Sequence, residues 1–215
     1  HILSNRKINP MRTVLIALAL LTTLSTQVGG DPLFVEENVI FFDTENSSTN
    51  KEIEFGQREQ LLKILENNPG IDTLVLNSSG GMISEAKEIA DLVIDANLNT
   101  HVEHFCESAC VTIFLAGQKR TLALGGKIGF HSNWWDATSM EKYYQSEKQH
   151  MGWDTPFDFA SWLYEDTQSE IFLAFEYLLE RGVKPDFAIQ TLKAGSDGMW
   201  YPRRSNLWQA GILTE

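Results

Sequence analysis

The stretch Thr73–Gly81, "TLVLNSSGG", decides how the rest of the chain is read. Its first residues, "TLVL", make a short apolar strand of the kind that is buried on both faces of a sheet. "NSSGG" breaks that strand, and amphipathic spacing predicts a helix over Ile83–Ala96 immediately afterwards. The two glycines therefore stand at a strand end and before a helix, where bare backbone N–H groups can face a ligand.

On the N-terminal side of that stretch, Val39–Asp43, "VIFFD", reads as a strand and "SSTNK" as a loop. "EIEFG" (52–56) reads as a short alternating strand. Gln57–Asn67 has helical spacing with Leu61, Ile64 and Leu65 on one stripe, closed by Asn68-Pro69-Gly70. On the other side, Thr100–His104 reads as a strand and Ser108–Leu115 as a helix. "RTLALGGKIGFHS" (120–132) reads as two strands about Gly125-Gly126. Residues 133–156 are aromatic and polar without a clear period. Phe157–Arg181 is strongly helical up to Gly182, Pro185–Leu192 is a shorter helix, and 198–213 reads as strand, turn, short helix, strand. Strands alternating with helices predict an α/β fold with parallel pairing.

The N-terminal thirty residues have a different character. Arg6, Lys7 and Arg12 precede the apolar run Val14–Leu24, and "STQVGG" leads to Asp31-Pro32. Basic, then apolar, then small is the order of a secretory signal, with Met11 as the start and residues 1–10 upstream of it. The run is about half the ~20 residues that span a bilayer, so no stable membrane span is expected after its removal. The expectation is an exported, periplasmic or secreted protein whose residues 31–215 form one domain. The chain is 43% hydrophobic and 21% charged, with a net charge of −12. Without residues 1–30, 14 Lys and Arg face 29 Asp and Glu, a net −15. Such a surface repels phosphates, which excludes nucleic acid and anionic membrane as expected partners.

Chemistry-bearing residues gather at strand ends. Ser108 lies at the centre of "CESAC" (106–110), where a helix N-terminus favours an oxyanion, although a serine in that position is ordinarily a cap. His131 closes the apolar strand "KIGFHS", where a lone histidine is ordinarily a hydrogen-bonded core residue. Cys106 and Cys110 are four residues apart. In a continuous helix that is about 6 Å along the axis, near the limit for a disulfide. With Cys106 in the turn before the helix a bridge becomes feasible, so bridge and buried thiols both stay open. Two cysteines without a matching histidine cluster argue against structural zinc. His101 and His104 of "HVEH" point to opposite faces of a strand, and no metal or cofactor is expected. Asn133-Trp134-Trp135 fits a groove lining or a subunit contact. The Phe157–Tyr177 aromatics fit core or an oligomer interface, and Glu176 with Glu180 a solvated face.

In order, "LVLNSSGG", "AKEIADLV", "CESACVTIFLAGQKR" and "GKIGFHS" resemble the Clp-type serine protease family of the crotonase-like superfamily. They are similar also to signal peptide peptidases, and most of all to exported Clp-protease-like proteins of bacteria. The family's Ser-Pro-Gly-Gly corresponds to Ser78-Ser79-Gly80-Gly81, with Ser79 in place of proline. Its Gly-x-(Lys)-Arg turn corresponds to Gly117-Gln118-Lys119-Arg120, and its histidine to His131, 23 residues after Ser108. The match spans residues 52–132, and more loosely 199–213, where "SNLWQAGIL" resembles the family's last helix and strand start.

The resemblance implies an α/β fold of the crotonase type, a repeated β-β-α spiral with a parallel sheet. It makes Ser108 the nucleophile and His131 its base, with the N–H groups of Gly81 and Ala109, beside Gly80, as oxyanion hole. The family's aspartate falls near Thr191–Lys193, where no carboxylate stands. Of the nearby Asp186 and Asp197, Asp197 is taken as the third member. The implied protein is a homo-oligomeric serine peptidase acting on peptides or unfolded protein. Nothing resembles a nucleotide-binding loop, so it is expected to work without its own ATPase. The alternatives are a binding scaffold that has lost turnover, motivated by the missing aspartate, and an acyl-ester hydrolase, since one oxyanion hole serves any acyl transfer.

Overall fold

The structure, a computed structural model, describes residues 30–195 and 198–215. The expected signal segment, residues 1–29 of it, and Asp197 therefore lie outside the described residues.

Six strands form one mixed sheet: β1 (Leu33–Glu36), β2 (Val39–Asp43), β3 (Thr73–Ser78), β4 (Asn99–Glu107), β5 (Arg120–Leu122) and β6 (Lys127–Gly129). Their order is β1-β2-β3-β4-β5, with β6 also on β4. The β1–β2 hairpin is antiparallel, and every other pairing is parallel. β4 is the long strand. Its first half pairs β5 through Thr100–Val102, and its second half pairs β6 through Phe105–Glu107. The C-terminal ends of β3, β4 and β6 consequently lie side by side.

The parallel steps are made by α1 (Gln57–Asn67), α2 (Ile83–Asp95) and α3 (Ala109–Ala116). Their apolar faces and the strands' Ile40, Phe42, Leu74, Leu76 and Val102 form one buried core. β3 is buried over five of its six residues, because a parallel strand between two covered faces has no solvent side. α4 (Ala137–Met151) and α5 (Pro156–Glu180) build a second, aromatic core of Tyr144, Trp153 and Phe159, with Tyr143 and Trp162 packed on it. α6 (Pro185–Thr191) and α7 (Arg204–Gln209) return the chain to the first core.

Two expectations, on "EIEFG" and on the C-terminal strands, are corrected, and two open points, the place of Cys106 and the stretch 133–156, are decided. "EIEFG" contributes a single bridge, Ile53 to Gly81, because Gly56 turns left-handed (φ 96°) to start α1. β4 runs past His104 to Glu107, so Cys106 belongs to the strand rather than to a turn. The unassigned stretch 133–156 contains α4, capped by Asp136, whose carboxylate accepts from the Ser139 N–H. The C-terminal strands reduce to one antiparallel bridge, Phe130 to Trp200, while Ile212 and Leu213 are buried without strand pairing.

Candidate active site

The strand ends set the geometry. At the end of β3, Ser78 is fully buried; its Oγ accepts from Thr44 Oγ1 at 2.9 Å and from the Gly80 N–H at 3.1 Å. The Ser79 N–H donates to Glu45 Oε1 at 2.9 Å. Ile53 straps the glycine turn from one side: its N–H donates to Gly80 O (2.7 Å), and its carbonyl accepts from Met82 N (2.8 Å). In a parallel bridge of this kind the central residue turns its own N–H away from the partner. The Gly81 N–H thus faces away from Ile53, towards the side on which β4 ends.

That side carries Ser108. A Cβ on Gly80 would stand 2.9 Å from Ser108 Cβ and 3.1 Å from Ala109 N, so only glycine lets the two turns touch. Ser108 has φ 53° and ψ −126°, a region that costs a residue with a Cβ about 1–3 kcal/mol. Its N–H donates to Gly129 O of β6 at 3.1 Å. Ser108 occupies the residue before α3, yet its side chain makes no capping hydrogen bond. The cap reading fails, and the hydroxyl is turned elsewhere. Ala109 opens α3, and a helix leaves its first N–H groups without intrahelical partners.

The hydroxyl meets His131. Nε2 of His131 lies 2.8 Å from Ser108 Oγ, and Nδ1 lies 2.8 Å from the Ser132 carbonyl. A carbonyl only accepts, so Nδ1 carries the proton and Nε2 presents a lone pair to the Ser108 O–H. This is the tautomer a general base needs. The backbone on either side of His131 is tied to the C-terminal segment: Ser132 N–H donates to Ala194 O (2.9 Å), and Phe130 and Trp200 exchange bonds of 3.0 and 2.8 Å.

Cys106 and Cys110 form a disulfide across the turn, with Cα atoms 5.4 Å apart, one at the end of β4 and one in the first turn of α3. Glu107 accepts from the Tyr201 hydroxyl at 2.5 Å, which pushes that phenol up to about 12. Lys127 lies over the Tyr201 ring at 5.5 Å.

Ser108, His131, Gly80, Gly81, Ala109 and the two cysteines are thus brought together, on three adjacent strand ends. Asp186 is not among them; it lies exposed in the first turn of α6. His101 bonds Thr121 Oγ1 at 2.7 Å, and among the described residues no cluster suited to a metal occurs. Trp135 joins the aromatic core, 5.1 Å from Tyr143. The supporting residues Thr44, Glu45 and Ser132 were not singled out from sequence. A backbone carbonyl carries no side-chain signature, and a contact across 34 residues leaves no local pattern.

No protein-family model and no curated protein sequence matches the chain. Solved structures do. ClpP1 of Listeria monocytogenes is similar over 75% of this chain and 84% of its own, with 18% identity and a TM-score of 0.52. A point mutant of that protein gives 17% identity and a TM-score of 0.51 over the same shares. A peptidase of Plasmodium falciparum is similar over 83% of this chain and 94% of its own, with 11% identity and a TM-score of 0.55. At such identities the likeness is one of fold: the chain has the mixed α/β, mostly parallel architecture of Clp-type peptidases.

Proposed function

We propose that the protein is an exported serine peptidase that cleaves peptides or unfolded segments without an ATPase. One observation carries the reading: a serine hydroxyl 2.8 Å from an imidazole nitrogen whose other nitrogen is held in the proton-donating state. Ser108 attacks the scissile carbonyl while His131 Nε2 takes its proton. The imidazolium then returns that proton to the leaving amine, and water repeats the cycle on the acyl-enzyme. The N–H groups of Gly81 and Ala109, with Gly80 allowing the close approach, receive the developing oxyanion; one such donor contributes roughly 3 kcal/mol.

Asp197 is proposed as the third member, supported by the tethering of Ala194 and Trp200 to the residues on either side of His131. Asp197→Asn is expected to lower kcat at least tenfold. Unchanged kcat would leave the Ser132 carbonyl as the working partner of Nδ1. A homo-oligomer is proposed on the apolar residues Ile171, Phe172 and Leu173, exposed along α5.

The test is hydrolysis of an unfolded protein and of fluorogenic peptides in the absence of ATP. Turnover by the wild type that is lost in both Ser108→Ala and His131→Ala supports the reading. Turnover of acyl esters alone would redirect it to ester hydrolysis. The carbonyl at Nδ1 favours one second reading, a binding scaffold; it gains if peptides bind and none is cut.

A further inference from the structure

We infer that the Cys106–Cys110 bridge is a positioning device for the nucleophile, so that Ser108 is delivered to His131 only after the two thiols are oxidised. The inference rests on the serine peptidase reading above.

The bridge closes a ring of five residues with Ser108 at its centre. Both anchors are rigid. Cys106 lies opposite Ser78 of β3 and Ile128 of β6, and Cys110 sits in α3, whose residues are buried apart from the half-buried Thr112. Fixing the two anchors 5.4 Å apart constrains the three residues between them, and the middle one holds the disfavoured φ of 53°. The Ser108 side chain cannot hold this turn, because it makes no cap and its Oγ is engaged by His131. On the backbone of Ser108 itself, the ties are its N–H to Gly129 O and its carbonyl to the Val111 N–H, while Glu107 beside it accepts from Tyr201; the bridge closes the turn around them.

Ring size separates positioning from bulk stabilisation. A cross-link restrains the unfolded chain less the shorter the loop it closes, so a five-residue ring adds less to global stability than a bridge across a long loop would. Its effect falls on what it encloses. Two buried thiols would leave strand end and helix start free to spread, and the Ser108 backbone free to relax from its strained conformation.

The chemistry balances as a thiol–disulfide exchange. One cysteine thiolate attacks an external disulfide, a small molecule or a protein, expelling a thiol and forming a mixed disulfide. The second thiolate then attacks the sulfur attached to this chain and expels the second thiol. The chain loses two electrons and two protons, and the external disulfide becomes two thiols. Both cysteines are fully buried in the folded protein, so the exchange accompanies folding rather than each turnover. In a reducing compartment the chain keeps two thiols and a relaxed turn. It becomes competent in an oxidising one.

The experiment compares three forms: oxidised wild type, wild type unfolded and refolded under reductant, and the Cys106→Ala/Cys110→Ala double variant. Each is melted by circular dichroism and timed for labelling by a fluorophosphonate, a readout that general stability does not move in a protein still folded. Expected are cooperative melts for all three, with labelling of the reduced and double-variant forms at least tenfold slower. Glutathione disulfide added during refolding should restore the rate in the wild type and not in the variant. Labelling of the double variant within about twofold of the oxidised wild type overturns the inference and leaves the peptidase reading intact. Should neither form without the bridge melt cooperatively, the bridge serves the fold and the inference is equally overturned. An oxidised wild type that does not label overturns the peptidase reading itself.

Discussion

Ser108 holds a backbone conformation that its own Cβ opposes, with no cap hydrogen bond in return. Ser108→Gly and Ser108→Ala both give up the Oγ bond to His131, but only glycine relieves the strain, so Ser108→Gly should be more stable than Ser108→Ala by about 1 kcal/mol. Activity would be lost with the hydroxyl. Thermal denaturation of the two checks this; a Tm for Ser108→Gly no higher than that of Ser108→Ala would mean that the turn is not strained by its side chain. Gly80→Ala puts a methyl group 2.9 Å from Ser108 Cβ and 2.8 Å from Glu107 O. It should lower kcat/KM at least 100-fold, and kcat/KM of the wild-type order would show that the two turns do not touch. At this scale the sequence was legible where chemistry sits at the ends of strands. The Gly-Gly pair and His131 each follow an apolar run, Ser108 stands between the strand-like "NTHVEHF" and the apolar "VTIFLA", and parallel strands end on one edge. What holds them was not legible. The Nδ1 partner is a main-chain carbonyl, and Ser78 is fixed by Thr44 from another strand end.

α3 binds the site to the rest of the fold. Its N-terminus abuts Ser108, and its C-terminal carbonyls meet two guanidinium groups. Arg181 donates to Leu115 O and Ala116 O at 2.9 and 3.0 Å, and Arg120 to Leu115 O at 3.2 Å. Arg120 also donates to Ile212 O, Gly211 O and Arg181 O, joining the C-terminal segment to the helix. Burial, with Arg181 close by, holds its guanidinium below the usual arginine range. Arg120→Met strands these carbonyls and should cost about 3 kcal/mol in urea denaturation, with the folded site's labelling otherwise intact. A loss under 1 kcal/mol would show that the carbonyls find other donors. The helices with aliphatic stripes facing the main core were readable within one or two residues. α4 was not, because its few inward residues, Met140, Tyr143 and Tyr144, pack on the aromatics of α5 and Trp153 rather than on the sheet. "EIEFG" alternates like a strand, but a left-handed Gly56 ends it after one bridge.

The whole molecule has a second core, built by α4 and α5, and a long helix that the main core covers only through Phe175, Tyr177 and Leu178 near its C-terminus. Along α5 only Phe159 is buried, while Phe172 is 63% and Leu173 51% exposed. Were the protein an oligomer joined through this helix, Phe172→Glu/Leu173→Glu would dissociate it into subunits that still melt cooperatively, at a Tm lowered by the lost association. Sedimentation velocity decides, and an unaltered sedimentation coefficient would remove α5 from the contact. The α/β class with parallel pairing was legible because βα alternation and doubly buried strands leave periodic patterns. The aromatic core was not, since aromatic spacing in 133–156 fits helix and loop alike. The whole fold serves one proposed event, attack by a Ser108 hydroxyl made reactive by His131. Its most direct measurement is reaction of the folded, oxidised protein with a fluorophosphonate, followed by peptide mass mapping. One adduct is expected, on Ser108, absent in His131→Ala. A folded protein that takes no label, or takes it on another residue, would contradict it.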